Sequence, residues 1–199
     1  MIMKRIYYLF IMLSIVVLGS MPALAQNTDG EQTMTAKEAR KAERAIRRKI
    51  IAEQNEKMFQ VALQALKEQS FVVEVDQLIF PRGMTKFVSS MTNFVSVNDG
   101  TAVIQITTSN FNPGPNGIGG ITLDGTPSNV TISTDKKGVV YYNFVDQGVA
   151  VSATVNIQMI PGSNRATVTI YPNFSNNVLT MTGTIVPYEE STIYKGMAI

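Results

Sequence analysis

The chain has 199 residues, with 17 Lys and Arg against 15 Asp and Glu, and it contains no Cys, His or Trp. These zeros exclude disulfides, Cys or His ligation of zinc, copper or haem iron, a Cys nucleophile, a Ser-His-Asp triad and a His general base. With 45% apolar and 16% charged residues, the composition is that of a globular protein poor in charge and long enough for one domain with its own core.

The N-terminus has the three parts of a secretory signal. Lys4 and Arg5 supply a positive start, residues 6–19 form an apolar run interrupted mainly by Ser14, and Pro22 precedes the A-x-A site Ala23-Leu24-Ala25. The run is about 14 residues, short of the ~20 that span a bilayer. The expectation is a signal peptide over 1–25, cleaved before Gln26, and export to the periplasm or beyond. No Cys follows the run, so a lipoprotein anchor is excluded. Removing Lys4 and Arg5 leaves the two charge types balanced at 15 each.

Residues 26–34 are polar and contain Gly30, which predicts a flexible leader. Thr35-Ala36-Lys37-Glu38 is a capping box, and the stretch to Gln69 is rich in helix formers with no Gly or Pro. A basic amphipathic helix is predicted over 35–69. Its first half carries Lys37, Arg40, Lys41, Arg44, Arg47, Arg48 and Lys49 against Glu38 and Glu43. Its second half places Met58, Phe59, Ala62, Leu63 and Leu66 on one face. Only that second half has a stripe worth burying, so the first half is expected to project.

From Ser70 the hydrophobic period changes to two, and residues 70–199 read as an antiparallel β domain. Phe71, Val73 and Val75 share one face. Asn98-Asp99-Gly100 is a hairpin signal, returning into a strand with Ala102, Ile104 and Ile106 on one face. Residues 110–120 (NFNPGPNGIGG) form a Pro/Gly-rich loop. Val130 and Ile132 mark a strand, and Asp135-Lys136-Lys137-Gly138 is a tight turn leading to Val140, Tyr142 and Phe144. Val149, Val151, Ala153, Val155, Ile157 and Met159 alternate without a break, followed by a turn at Pro161-Gly162-Ser163-Asn164. Ala166, Val168 and Ile170, then Leu179, Met181, Gly183 and Ile185, complete the inward set. About eight strands with frequent turns and no helix between them predict a mainly β fold. The expected architecture is an antiparallel β-sandwich or a partly open barrel, preceded by the N-terminal helix.

Three stretches carry a family resemblance: GPNGIGGITLDG (residues 114–125), KKGVVYYNF (136–144) and ATVTIYPNFSNNVLTMTGTI (166–185). Over about residues 42–185 the chain resembles a Bacteroidota exported family catalogued as domain of unknown function 4251. The chain departs from it at Thr107-Thr108-Ser109-Asn110-Phe111, where a Leu-Pro-aromatic stretch is expected. The resemblance implies an exported β domain and carries no activity, so no functional residue is transferred.

Candidate chemistry is sparse. The acids of the β region are Glu74, Asp76, Asp99, Asp124, Asp135, Asp146, Glu189 and Glu190. A carboxylate-dependent hydrolase needs two of them facing each other across ~5–10 Å. Asp99, Asp124, Asp135 and Asp146 sit near Gly in turn-like sequence, where Asp has local uses. The Gly-rich loop runs into strand-like Ile121-Thr122-Leu123, not into a helix N-terminus, so it is not read as a phosphate cradle. Asn129-Val130-Thr131 and Asn173-Phe174-Ser175 match glycosylation triplets that arise by chance. The basic helix half has no interleaved aromatics, and nucleic acid is not expected as a partner. Its Ala-rich face supports at most a weak electrostatic contact with a membrane.

Residues 139–187 hold only two charges, Asp146 and Arg165. Such a charge-poor sheet face suits an envelope protein partner, self-association or cover by the helix. No catalytic, cofactor-binding or metal residue is assigned, and no cofactor is expected. The leading expectation is a non-enzymatic exported β domain with a binding or structural role at the periplasm or cell envelope. The alternatives are a carrier holding a small apolar ligand in a barrel cavity and, less favoured, a carboxylate-dependent hydrolase.

Overall fold

A computed structural model describes residues 35–108, 112–148, 152–173 and 175–198. The expected signal peptide (1–25) and leader (26–34) lie outside the described residues, as do Val149, Val151 and Phe174. The chain divides into a unit ending at Arg40 and a compact unit Lys41–Ile199 that holds every strand.

Helix α1 spans Ala36–Glu68. Its start is a reciprocal cap: the Thr35 N–H donates to Glu38 Oε2 (2.9 Å), and Thr35 Oγ1 accepts the Glu38 N–H (3.4 Å). The Thr35 N–H, and the Thr35 hydroxyl donating to the same Oε2 (2.8 Å), hold the Glu38 carboxyl below its ordinary pKa. The helix ends where Gln69 turns left-handed (φ 55°) and the Ser70 N–H reaches back to the Ala65 carbonyl (3.1 Å), a Schellman stop.

The strands follow in order: β1 (Phe71–Ile79), β2 (Thr85–Phe87), β3 (Phe94–Asn98), β4 (Thr101–Thr107), β5 (Gly120–Thr134), β6 (Val140–Gly148), β7 (Ser152–Met159), β8 (Arg165–Pro172) and β9 (Leu179–Pro187). From β3 to β9 each pairs antiparallel with the next. One edge of β1 is shared, with β3 against Phe71–Glu74 and β2 against Gln77–Ile79. Its other edge pairs with β9 from Phe71↔Pro187 to Ile79↔Thr180. That seam closes β1 and β3–β9 into an eight-stranded antiparallel barrel, with β2 as one extra strand. The barrel is closed, where the sequence left a sandwich and a partly open barrel both standing.

Two bulges give the sheet the local twist that closure needs. One lies in β1 between Val75 and Gln77, opposite β9. There Gly183 meets the β1 backbone so closely that a Cβ would stand 2.3 Å from the Glu74 carbonyl oxygen. The other lies in β5 between Ser128 and Thr131, with Asn129 at φ 52°. It lets a single long strand pair with β4 over Gly120–Gly125 and with β6 from Gly125 onwards. The β3–β4 turn has both central residues left-handed, Asp99 at 48° and Gly100 at 71°, as its sequence requires.

The inward set holds the residues the alternation marks (Phe71, Val73, Val75, Ala102, Ile104, Val140, Tyr142, Phe144 and the apolar residues of β7–β9) together with Val95 and Val97 of β3, which the sequence reading did not single out; all form one core. Tyr142 stacks edge-on against Phe71 (5.0 Å) and Phe144 (6.0 Å). The apolar interior and the Thr-, Ser- and Asn-bearing exterior are the reverse of a membrane-spanning barrel.

Phe59, Ala62, Ala65 and Leu66 of α1 belong to the same core. Ala65 and Glu68 lie beside Pro187 at the end of β9, and Glu56 stands by Gly162 of the β7–β8 turn. These strand ends are all at one end of the barrel, so the second half of α1 seals that end. The helix residues before Glu56 described in the compact unit are exposed almost throughout.

After β9 a short 3-10 turn (Tyr188–Glu190) leads the C-terminal tail along the outside of β1, β3, β4 and β5. The Thr192 N–H donates to Glu74 Oε1 (2.9 Å), the Tyr194 N–H to the Met91 carbonyl (2.7 Å) and the Gly196 N–H to Gln105 Oε1 (2.8 Å). Beneath the tail, Ser96, Gln105 and Thr122 are buried although they face outward. A second small core of Val72, Phe94 and Val103 forms there, covered by Val186 and Ile193.

Candidate functional site

At the end opposite α1, the barrel holds an apolar cavity of about 620 Å³. Its wall comes from Ile104 and Ile106 (β4), Ile121 and Leu123 (β5), Ala153 (β7), Ile170 (β8) and Leu179 (β9). These are inward positions, so the same alternation that builds the core builds the wall. Ile121 lines the cavity and is 45% exposed, so the cavity opens to solvent there.

The Gly-rich loop frames the opening through Asn112, Gly114, Pro115 and Gly119, with Thr108 beside it. Its order comes from its own backbone and from the Asn116 side chain. The Gly119 N–H donates to the Pro113 carbonyl (2.6 Å), and the Ile118 and Gly120 N–H groups donate to Asn116 Oδ1 (3.1 and 2.9 Å). Asn116 Nδ2 donates to Thr122 Oγ1 (3.3 Å), and the Asn116 carbonyl accepts the Met197 N–H (3.0 Å). Asn116 thereby joins the rim of the cavity to the C-terminal tail. Gly114 has φ 61° and Gly120 packs on β4, where a Cβ would overlap the Ile106 carbonyl oxygen. The glycines serve close backbone contact at a barrel mouth, and the loop leads into strand β5, as expected for a loop that is not a phosphate cradle.

Near the cavity wall lies one buried carboxylate. Asp146 shares the inward face of β6 with Tyr142 and Phe144, is paired across to Ala153, and is 1% exposed. Its Oδ1 has no hydrogen-bond partner and occupies the space over Gly125, where a Cβ would be 2.1 Å away. Burial pushes its pKa up to about 6, with a further push from the charge of Asp124. Tyr142, buried without a partner for its hydroxyl, is pushed up to about 12 by burial.

Asp124 lies close enough to Asp146 to act on it, and its Oδ1 is likewise buried without a partner; the remaining acids are dispersed. Asp76 pairs with Arg165, Asp124 with Lys195, and Asp135 Oδ1 caps its turn by accepting the Lys137 and Val139 N–H groups (2.8 and 2.9 Å). Asp99 and Glu189 line a polar recess with Glu68 at the α1 end, all three exposed. None of the eight acids lines the apolar cavity. The outward residues of β6–β9 are half-exposed, and α1 does not cover them. The cover over part of the outer surface is instead the chain's own tail, over β1 and β3–β5. Nothing in the sequence of that tail announced it, because the tail makes most of its contacts through its own backbone groups.

Residues 53–185 match the family described as domain of unknown function (DUF4251). The chain belongs to this family. It is similar to a DUF4251 family protein from Bacteroides eggerthii known from a crystal structure, with 44% identity and a TM-score of 0.62. That match covers 70% of this chain and 94% of the other. No curated protein matches the chain. The resemblance expected from residues 42–185 is therefore correct in family, and the family brings a barrel fold without an assigned activity.

Proposed function

We propose that this DUF4251 protein is an exported carrier that holds a small apolar ligand in the mouth of its barrel. One observation carries the reading: an apolar cavity of about 620 Å³ opens at one end of a barrel whose other end is sealed by α1. That volume lies within the ~300–1,000 Å³ of small-molecule pockets, and an apolar wall with a few polar groups at the rim is their common composition. Thr108 and Asn112 at the opening suit the polar head of an otherwise apolar molecule, such as a fatty acid. Export is supported by Lys4, Arg5, the apolar run and the Ala23-Leu24-Ala25 site. With no acid on the cavity wall, a carboxylate hydrolase gains no support from the site.

The test is titration of the purified protein with medium- and long-chain fatty acids by calorimetry, alongside Ala153→Phe. Ala153 is buried on the cavity wall, and a benzyl group there fills the space. Saturable binding that falls at least about tenfold (~1.4 kcal/mol) in Ala153→Phe supports the carrier. The absence of binding, or equal binding by the folded variant, overturns it.

A further inference from the structure

The β1–β2 hairpin is the most exposed apolar feature near the cavity. Phe80 and Val88 anchor its two ends against the core, and residues 81–87 between them are all exposed. The tip is tightly made: the Phe80 N–H donates to the Met84 carbonyl (2.8 Å), and Arg82 and Gly83 are both left-handed (φ 74° and 82°). Met84 is 66% exposed and Phe87 80%. Among the described residues, both side chains project from the packed body. Both charges of the arm, Arg82 and Lys86, are positive. The nearest preceding acid, Asp76, is neutralised by its ion pair with Arg165.

Two contacts place this arm at the open end of the barrel. The β2 strand pairs with Gln77–Ile79, whose other edge faces Thr180, the residue after cavity-lining Leu179. Lys86 Nζ donates to the carbonyl of Thr108, itself on the cavity rim. Apolar side chains flanked only by cations, projecting from an opening lined with apolar residues, match the layered chemistry of an anionic bilayer surface. We propose that the hairpin docks the barrel mouth on anionic lipid, with Met84 of its tip and Phe87 of β2 entering the acyl boundary and Arg82 and Lys86 meeting the headgroups. This deepens the carrier reading, because it sets the cavity opening where an acyl chain passes between bilayer and barrel. It goes beyond the weak contact expected of the basic first half of α1, whose second half packs on the opposite end of the barrel.

The chain has no Trp, so Phe87→Trp in the processed chain (from Gln26) reports from the hairpin alone. Vesicles of phosphatidylcholine with a quarter phosphatidylglycerol are expected to blue-shift its emission, and neutral phosphatidylcholine vesicles or high salt to remove most of the shift. Co-sedimentation with the anionic vesicles is expected to fall at least about tenfold in Phe87→Ser/Arg82→Glu. An unshifted emission, or undiminished sedimentation of the folded double variant, overturns the docking; the latter outcome assigns binding to the helix. Fatty-acid titration without vesicles reads the carrier separately, since neither residue lines the cavity. Docking with no fatty-acid binding refutes the carrier alone, and fatty-acid binding with no docking refutes this proposal alone.

Discussion

At the residue scale, Asp146 has the most consequence. A carboxyl with an ordinary value of 3.8 sits at about 6 in the fold, so the folded state prefers it protonated. The linkage runs opposite to that of a salt-bridged Asp. Its contribution is most favourable below pH 4 and is lost as the pH rises to about 6, by at most about 3 kcal/mol. Asp146→Asn is therefore expected to raise the Tm at pH 7.5, to change it little at pH 4, and to flatten the pH dependence between. Thermal unfolding by circular dichroism across pH 4–8 measures this, and a destabilised variant at pH 7.5 contradicts it. Gly125 explains why the group is tolerated: without a Cβ, that position leaves the space its Oδ1 occupies. The sequence showed an Asp beside a Gly two residues on, which reads as a turn, and the strand pairing that turns it inward is not a local property.

Elements obey their sequences more closely. The Thr35–Glu38 box starts α1 and Gln69 ends it; of the expected stripe, Phe59, Ala62 and Leu66 are buried and Leu63 half-buried, while Met58 turns outward and is exposed. Leu66 is 1% exposed within the common core, so Leu66→Ala is expected to cost about 2–5 kcal/mol in urea unfolding. A cost near zero would mean that the helix does not seal the barrel. The strands β6–β9 follow their alternation wherever they are described, whereas β3 and β4 are buried on both faces because the tail covers the outer one. Strand β2 escaped notice because three exposed residues bear no pattern, and β5 read as two pieces because a bulge at Asn129 changes its phase.

For the whole molecule, closure is decided at the β1–β9 seam, between residues more than a hundred positions apart. Gly183 is needed there by a neighbouring backbone, not by a turn. Gly183→Ala would drive a Cβ to 2.3 Å from the Glu74 carbonyl oxygen, and neither side of that contact is a flexible side chain. A loss of at least about 2 kcal/mol is expected in equilibrium unfolding. Unchanged stability would show that the seam can shift without cost. Closure also leaves the interior wider than the side chains of Ile104, Ile106, Leu123 and Ile170 fill, and the cavity is the consequence.

The sequence by itself determined the helix and its buried face, the inward residues of most strands, the turns with left-handed glycines, and the catalytic types that are missing. All of these follow from short-range periodicity, capping and steric preference. Only the tertiary structure decided that the sheet closes, that one end is sealed and the other hollow, that the tail covers outward Gln105 and Thr122, and that Asp146 is buried. Each depends on which distant strands pair and in what register. The same Val, Ile and Leu spacing serves a filled core or a cavity wall, and the strand count and stagger of the closed barrel determine which it becomes.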